Sequence, residues 1–145
     1  MITAFDPDLG LIVVDAEIEG PTGSLLLRLA LDTGATQTLI RSGALVAIGY
    51  DCANSSDSVE VATASAVVRL PVVTLRSIRC LGQVRNEFAV LSHDLPPDTA
   101  IAGLLGLDFL RDHALTIHFP KAEIRLTSPR RPRKKRRSSR GRKRT

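Results

Sequence analysis

Every aliphatic and aromatic side chain of this 145-residue protein lies before Pro129. Any core must therefore come from residues 1–128, because the stretch from Pro129 to Thr145 has nothing to bury and is expected to be a disordered tail. Charge divides at the same place. Eleven of the 20 basic residues fall between Arg130 and Arg144, so residues 1–128 carry 9 basic and 15 acidic groups, a net charge of −6 hidden beneath an overall +5. The foldable part is enough chain for one domain. With no Trp, one Tyr and four Phe, its core has to be aliphatic.

Cys52 and Cys80 stand 28 positions apart, with no Cys-x-x-Cys and no His at ligand spacing. This argues against a zinc site and against a disulfide scaffold, and it points to a reducing compartment, read as the cytoplasm. Met1 to Gly10 carries Asp6 and Asp8 and lacks the basic start and long apolar run of a signal peptide. Apolar runs such as Leu25-Leu26-Leu27 fall far short of the roughly 20 residues that span a bilayer, so no membrane partner is expected.

The apolar pattern is mostly that of short strands. Leu11–Ile18, broken by Asp15 and Glu17, and Ser24–Leu31 predict a hairpin around Gly20-Pro21-Thr22-Gly23. A loop, Asp32 to Gln37, follows the second strand. Ser42–Ile48 predicts a short helix with Ser42 as N-cap and Gly49 beyond its end. Val59 to Leu75 predicts a long hairpin bending near Ala64-Ser65, with Pro71 tolerated at an edge or bulge. Phe88–Leu91 is a further short strand before the breakers Asp94-Leu95-Pro96-Pro97-Asp98. Ile101–Gly106 leads into a helix over Asp108–His113 with Asp108 as its cap. A last hairpin, Leu115–Phe119 and Ala122–Leu126, turns at Pro120-Lys121. Many short strands with two short helices indicate a mostly-β, barrel-like domain.

The segment that carries chemistry is Leu29-Ala30-Leu31-Asp32-Thr33-Gly34-Ala35-Thr36. Asp-Thr-Gly alone reads as an ordinary turn. Here the Asp directly follows an apolar strand, which puts its carboxylate at the end of a buried element, where ionisation is costly unless the site is built for it. Gly34 lets backbone approach a neighbouring carboxylate, and the Thr33 hydroxyl is available to brace the loop. About 70 positions later comes Gly103-Leu104-Leu105-Gly106-Leu107-Asp108-Phe109-Leu110.

This pairing of Asp-Thr-Gly-Ala after an apolar strand with apolar-apolar-Gly before a short helix resembles the retroviral-type aspartic proteases, the retropepsin-like family. The second motif looks most like its cellular, single-domain members. The likeness runs over roughly residues 10–126. It implies a closed-barrel acid-protease fold for residues 1–128, with the tail, 129–145, outside it. It further implies an aspartic endopeptidase in which Asp32 is the catalytic carboxylate, Thr33 and Gly34 complete the loop, and Ala35 offers backbone groups to a peptide or protein substrate. The hairpin near Val59–Leu75 takes the place of the flap, with Thr63, Ala64 and Ser65 at the substrate. No cofactor or metal is required.

Two nearby carboxylates cannot both ionise cheaply and so share a proton, one then acting as base on a water and the other as acid on the scissile carbonyl. Asp-Thr-Gly occurs once in this sequence, neither Asp57-Ser58-Val59 nor Asp98-Thr99-Ala100 being a second copy. The partner carboxylate is accordingly expected from a second copy of the chain in a homodimer. Leu11–Ile18 and Ala122–Leu126 are expected to pair across the interface, since their edges would otherwise stay open.

Retroviral flaps carry glycine at the tip, whereas no Gly lies between Gly49 and Gly82. That departure keeps an alternative open, a non-proteolytic peptide-binding or dimerising module of the same fold. His93, His113 and His118 are dispersed and read as satisfied surface or core residues, and no Ser or Cys sits in a nucleophile-elbow pattern. The basic tail has two readings. It contacts polyanions such as nucleic acid without sequence preference, having no aromatic residue to stack on bases, or it is a solvated extension or address signal.

Overall fold

The computed structural model describes residues 1–129, so all of the basic tail except Pro129 lies outside the described residues. The strands are β1 (Ile2–Ala4), β2 (Val13–Gly20), β3 (Gly23–Leu31), β4 (Leu39–Ile40), β5 (Ser58–Ala62), β6 (Val67–Cys80), β7 (Gln83–Ser92), β8 (Gly103–Leu105), β9 (Ala114–His118) and β10 (Glu123–Thr127). Two short helices, α1 (Ser42–Ala47) and α2 (Leu107–Leu110), and a 3₁₀ turn at Phe119–Lys121 complete the elements of the described residues.

Six strands close into a barrel in the order β2-β3-β8-β4-β7-β6, with β6 returning to β2. The alternation read from sequence explains which faces turn inward. Along β2, Val14, Ala16 and Ile18 are buried while Asp15, Glu17 and Glu19 face water. The interior is mainly aliphatic; its one fully buried aromatic ring, Phe109, meets Phe88 edge-on at 5.8 Å. A separate three-stranded sheet, β1-β10-β9, joins the two ends of the described chain.

The β5–β6 hairpin projects from the barrel with Thr63–Ala66 as its turn, as the sequence predicts. Pro71 is placed where its missing N–H does least harm. It pairs with Ser58 at the root of the hairpin, and the β6–β7 ladder begins one residue later, at Val72.

Several expectations need correction. β2 and β10 are not edge strands, because β2 lies between β3 and β6, the latter pairing over Ala16–Glu19, and β10 lies between β9 and β1, the latter pairing over Glu123–Arg125. The N-cap of α1 is Arg41, and the Ser42 hydroxyl pairs with Ser92 instead, at 2.9 Å. The N-cap of α2 is Gly106, not Asp108, and this helix stops at Leu110. β7 runs well beyond Phe88–Leu91 because β6 turns straight into it through Leu81-Gly82, both left-handed at φ 50° and 75°. Leu is a poor residue for that conformation, which hid the turn, and its burial helps offset the strain.

The only Tyr closes a gap in the barrel wall. The β2–β6 ladder ends at Glu19 and Ser77, and just beyond it the Tyr50 hydroxyl accepts from the Arg76 amide at 3.0 Å and lies 3.4 Å from the Glu19 carbonyl. Burial pushes this phenol above its ordinary value of 10.0. The neutral form is thus favoured by the fold, and the stability it contributes is complete below about pH 10 and is lost as the pH rises above it. Absorbance titration, clean in a protein with one Tyr and no Trp, should show tyrosinate forming later in the folded protein than in urea. Coincident curves would contradict this placement.

Candidate active site

β3 delivers Asp32. Near its end Leu29 and Ala30 are buried, and the chain then turns outward, leaving Leu31 and Asp32 half-buried and Thr33 and Gly34 exposed. The loop folds back on its own carboxylate. The Gly34 amide donates to Asp32 Oδ1 at 2.8 Å, and the Ala35 amide donates to the Asp32 carbonyl at 3.2 Å. A Cβ at position 34 would stand 3.1 Å from that same oxygen, so glycine gives the amide its close approach. Thr33 makes no side-chain hydrogen bond among the described residues.

The Gly106 turn lies directly against this loop. The Asp32 amide donates to Leu105 O at 3.0 Å, and the Leu107 amide to Ala35 O at 2.8 Å. A side chain on Gly106 has no room, since a Cβ would lie 2.6 Å from the Gln37 carbonyl carbon and 3.0 Å from Ala35 O. Its φ of −94° is ordinary, so the glycine is there for space alone. Ala35 thus has its N–H and one lone pair of its carbonyl already engaged inside the loop.

One residue of this arrangement lies outside both motifs. Thr38, completely buried, sends both its amide and its hydroxyl to the Asp108 carboxylate, at 3.0 and 2.7 Å, and its Oγ1 accepts the Gly106 amide at 3.1 Å. The one available signal was a Thr placed just before the buried pair Leu39-Ile40. Nothing local tells which distant group it meets.

The hairpin tip is built separately. The Thr63 amide donates to Ala66 O at 2.8 Å, and the Thr63 hydroxyl lies 2.8 Å from that carbonyl and 3.1 Å from the Ala66 amide. Ala64 and Ser65 are exposed at the apex, and none of Thr63–Ala66 takes a left-handed conformation. Behind the tip, Val61 pairs with Val68 and Val59 with Leu70 on one face, while Glu60 and Arg69 form a 3.2 Å ion pair on the other. No hydrogen bond joins Thr63–Ser65 to the Asp32 loop among the described residues. Two cavities of the single chain, about 500 Å³ beside α1 and the hairpin root and about 470 Å³ beneath the N-terminal segment, are lined by neither Asp32 nor the tip.

Both cysteines are free and buried. Burial pushes the Cys80 thiol up to about 12, with the Asp15 charge adding to it and the Leu81 amide opposing it. No helix of the described residues is long and apolar enough to cross a membrane.

A six-strand barrel with Asp-Thr-Gly at the end of one strand, a glycine turn pressed against it and a projecting hairpin is the retropepsin-like arrangement, and comparison with known proteins agrees. Residues 14–112 match the family described as "gag-polyprotein putative aspartyl protease", and the chain belongs to that family. Among solved structures it is similar to a retropepsin-like aspartic protease from Rickettsia conorii, with a TM-score of 0.66 and 22% identity over 88% of this chain and 89% of that one. No curated protein matches it.

The crowding at Gly106 gives a direct test. Gly106→Ala should destabilise the protein by about 1–3 kcal/mol in urea unfolding, because backbone on both sides must move to admit the methyl group. A neutral substitution would mean that the two loops are not in contact.

Proposed function

We propose that the protein is an aspartic endopeptidase whose dyad is two Asp32 carboxylates, one from each subunit of a homodimer. The observation that carries this reading is the placement of Asp32. Its carboxylate stands half-exposed at the rim of the barrel, with one oxygen held by the Gly34 amide. It is supported by the family match across both motif segments.

In this reading the two carboxylates share one proton across a bound water. The ionised one takes a proton from that water as it attacks the peptide carbonyl, and the protonated one delivers its proton to the carbonyl oxygen. Thr33 and Gly34 complete the loop, and the Gly34 amide steadies the acid. Ala35 meets the substrate through the free lone pair of its carbonyl. Thr63, Ala64 and Ser65, at the tip of the hairpin, close over the peptide, with the apolar face of Val61 and Val68 behind them.

A second copy has an edge to join. In the terminal sheet β1 and β9 each pair on one side only among the described residues, so β9, the longer of the two, offers an edge along which that sheet could extend into its copy. The cavities named above bypass Asp32, which fits a substrate cleft completed only when two chains meet. The non-proteolytic alternative rested on a tip without glycine. It loses weight, since the Thr63–Ala66 turn needs no left-handed residue. The basic tail adds salt-sensitive contact with polyanions, outside the peptide chemistry.

Asp32→Asn keeps the shape of the side chain and removes the acid. Cleavage of a peptide library should fall by about 10²–10⁴-fold with the circular dichroism spectrum unchanged. Undiminished cleavage by the variant would overturn the protease assignment.

A further inference from the structure

We propose that Asp108 is a positioning residue for the loop that carries Asp32, acting through Thr38 and never touching substrate; this rests on the protease reading above. Asp108 is not available as a second catalytic acid. Its Oδ1 accepts the Thr38 amide at 3.0 Å, the Thr38 hydroxyl at 2.7 Å and the Phe109 amide at 2.9 Å, and its Oδ2 shares the Thr38 amide at 3.0 Å. A carboxylate so engaged has little capacity left to bind or activate a water.

What it does is fix one hydroxyl. With its proton committed to Asp108, Thr38 Oγ1 is left as an acceptor, and it receives the Gly106 amide. Gly106 stands between Leu105, whose carbonyl takes the Asp32 amide, and Leu107, whose amide donates to Ala35. The start of the catalytic loop and its end, at Thr38, are therefore both tied to the same four residues, Leu105–Asp108. Asp108 is the side chain that locks the pair.

The far end of α2 is tied to the barrel wall. Arg85 of β7 donates to Phe109 O at 3.1 Å and Arg111 O at 3.3 Å, and its guanidinium lies over the Phe109 ring at 5.7 Å. A four-residue helix has little stability of its own. Here it acts as a strut, gripping the catalytic loop with its first turn and braced on β7 through its last carbonyls. Thr38, wholly buried, has no water to substitute for the carboxylate it would lose.

The experiment compares Asp108→Ala, Thr38→Val and Thr38→Ser with the wild type by amide hydrogen exchange and by peptide-cleavage kinetics. Asp108→Ala and Thr38→Val should speed exchange at the Gly106 and Asp32 amides tenfold or more while the β6–β7 ladder keeps its protection. In the same variants kcat should fall with KM changed less than about twofold, and Thr38→Ser should restore both. Unchanged exchange at Gly106, or equal acceleration throughout the barrel, would overturn the proposal, the latter by showing a merely structural role. Should Asp108→Ala fail to fold, the near-isosteric Thr38→Val carries the test. The exchange readings stand without any catalysis, so a wild type that cleaves nothing would count against the protease reading and leave the positioning role to be decided by exchange.

Discussion

The structure depends on a strand of three residues passing between two others. β8 pairs parallel with β3 through Leu29–Leu31 and antiparallel with β4 through Leu39 and Ile40, so it lies inside the loop that joins those two strands. This single insertion closes the barrel between β3 and β4, and it lays the Gly106 turn against the Asp32 loop. It is possible only where side chains are absent. A Cβ on Gly103 would collide with the Leu39 carbonyl, and one on Gly106 with the Gln37 carbonyl. Backbone packed on backbone leaves polar groups that must be paired, and the hydrogen bonds among Asp32, Ala35, Thr38 and Leu105–Asp108 pair them.

Local pattern made much of this legible. Alternation gave β2 and the projecting hairpin, and the Asp-Thr-Gly and Leu-Leu-Gly segments marked the two loops that meet. What escaped was decided by partners distant in sequence. Asp108 reads as a helix cap because Asp is a favoured residue at a helix start, yet its carboxylate is claimed by Thr38, 70 positions away. β4, only two residues long, has no period to detect and exists because β7 and β8 lie on either side of it. The Leu81-Gly82 turn was masked by a leucine in a conformation leucine avoids. The expectation that β2 and β10 present open edges failed for the same kind of reason, since the strands covering them, β6 and β1, gave no local sign of doing so.

Shape and chemistry are linked by a count. Each chain supplies one Asp-Thr-Gly, and the Asp108 carboxylate beneath the loop is engaged in holding it. In the proposed mechanism the second acid comes from a second chain, so the working unit is a pair of barrels. The most direct measurement is specific activity against subunit concentration, with sedimentation at the same concentrations. The account predicts that activity per chain falls as dimer gives way to monomer. A monomer that keeps full specific activity on dilution would contradict it.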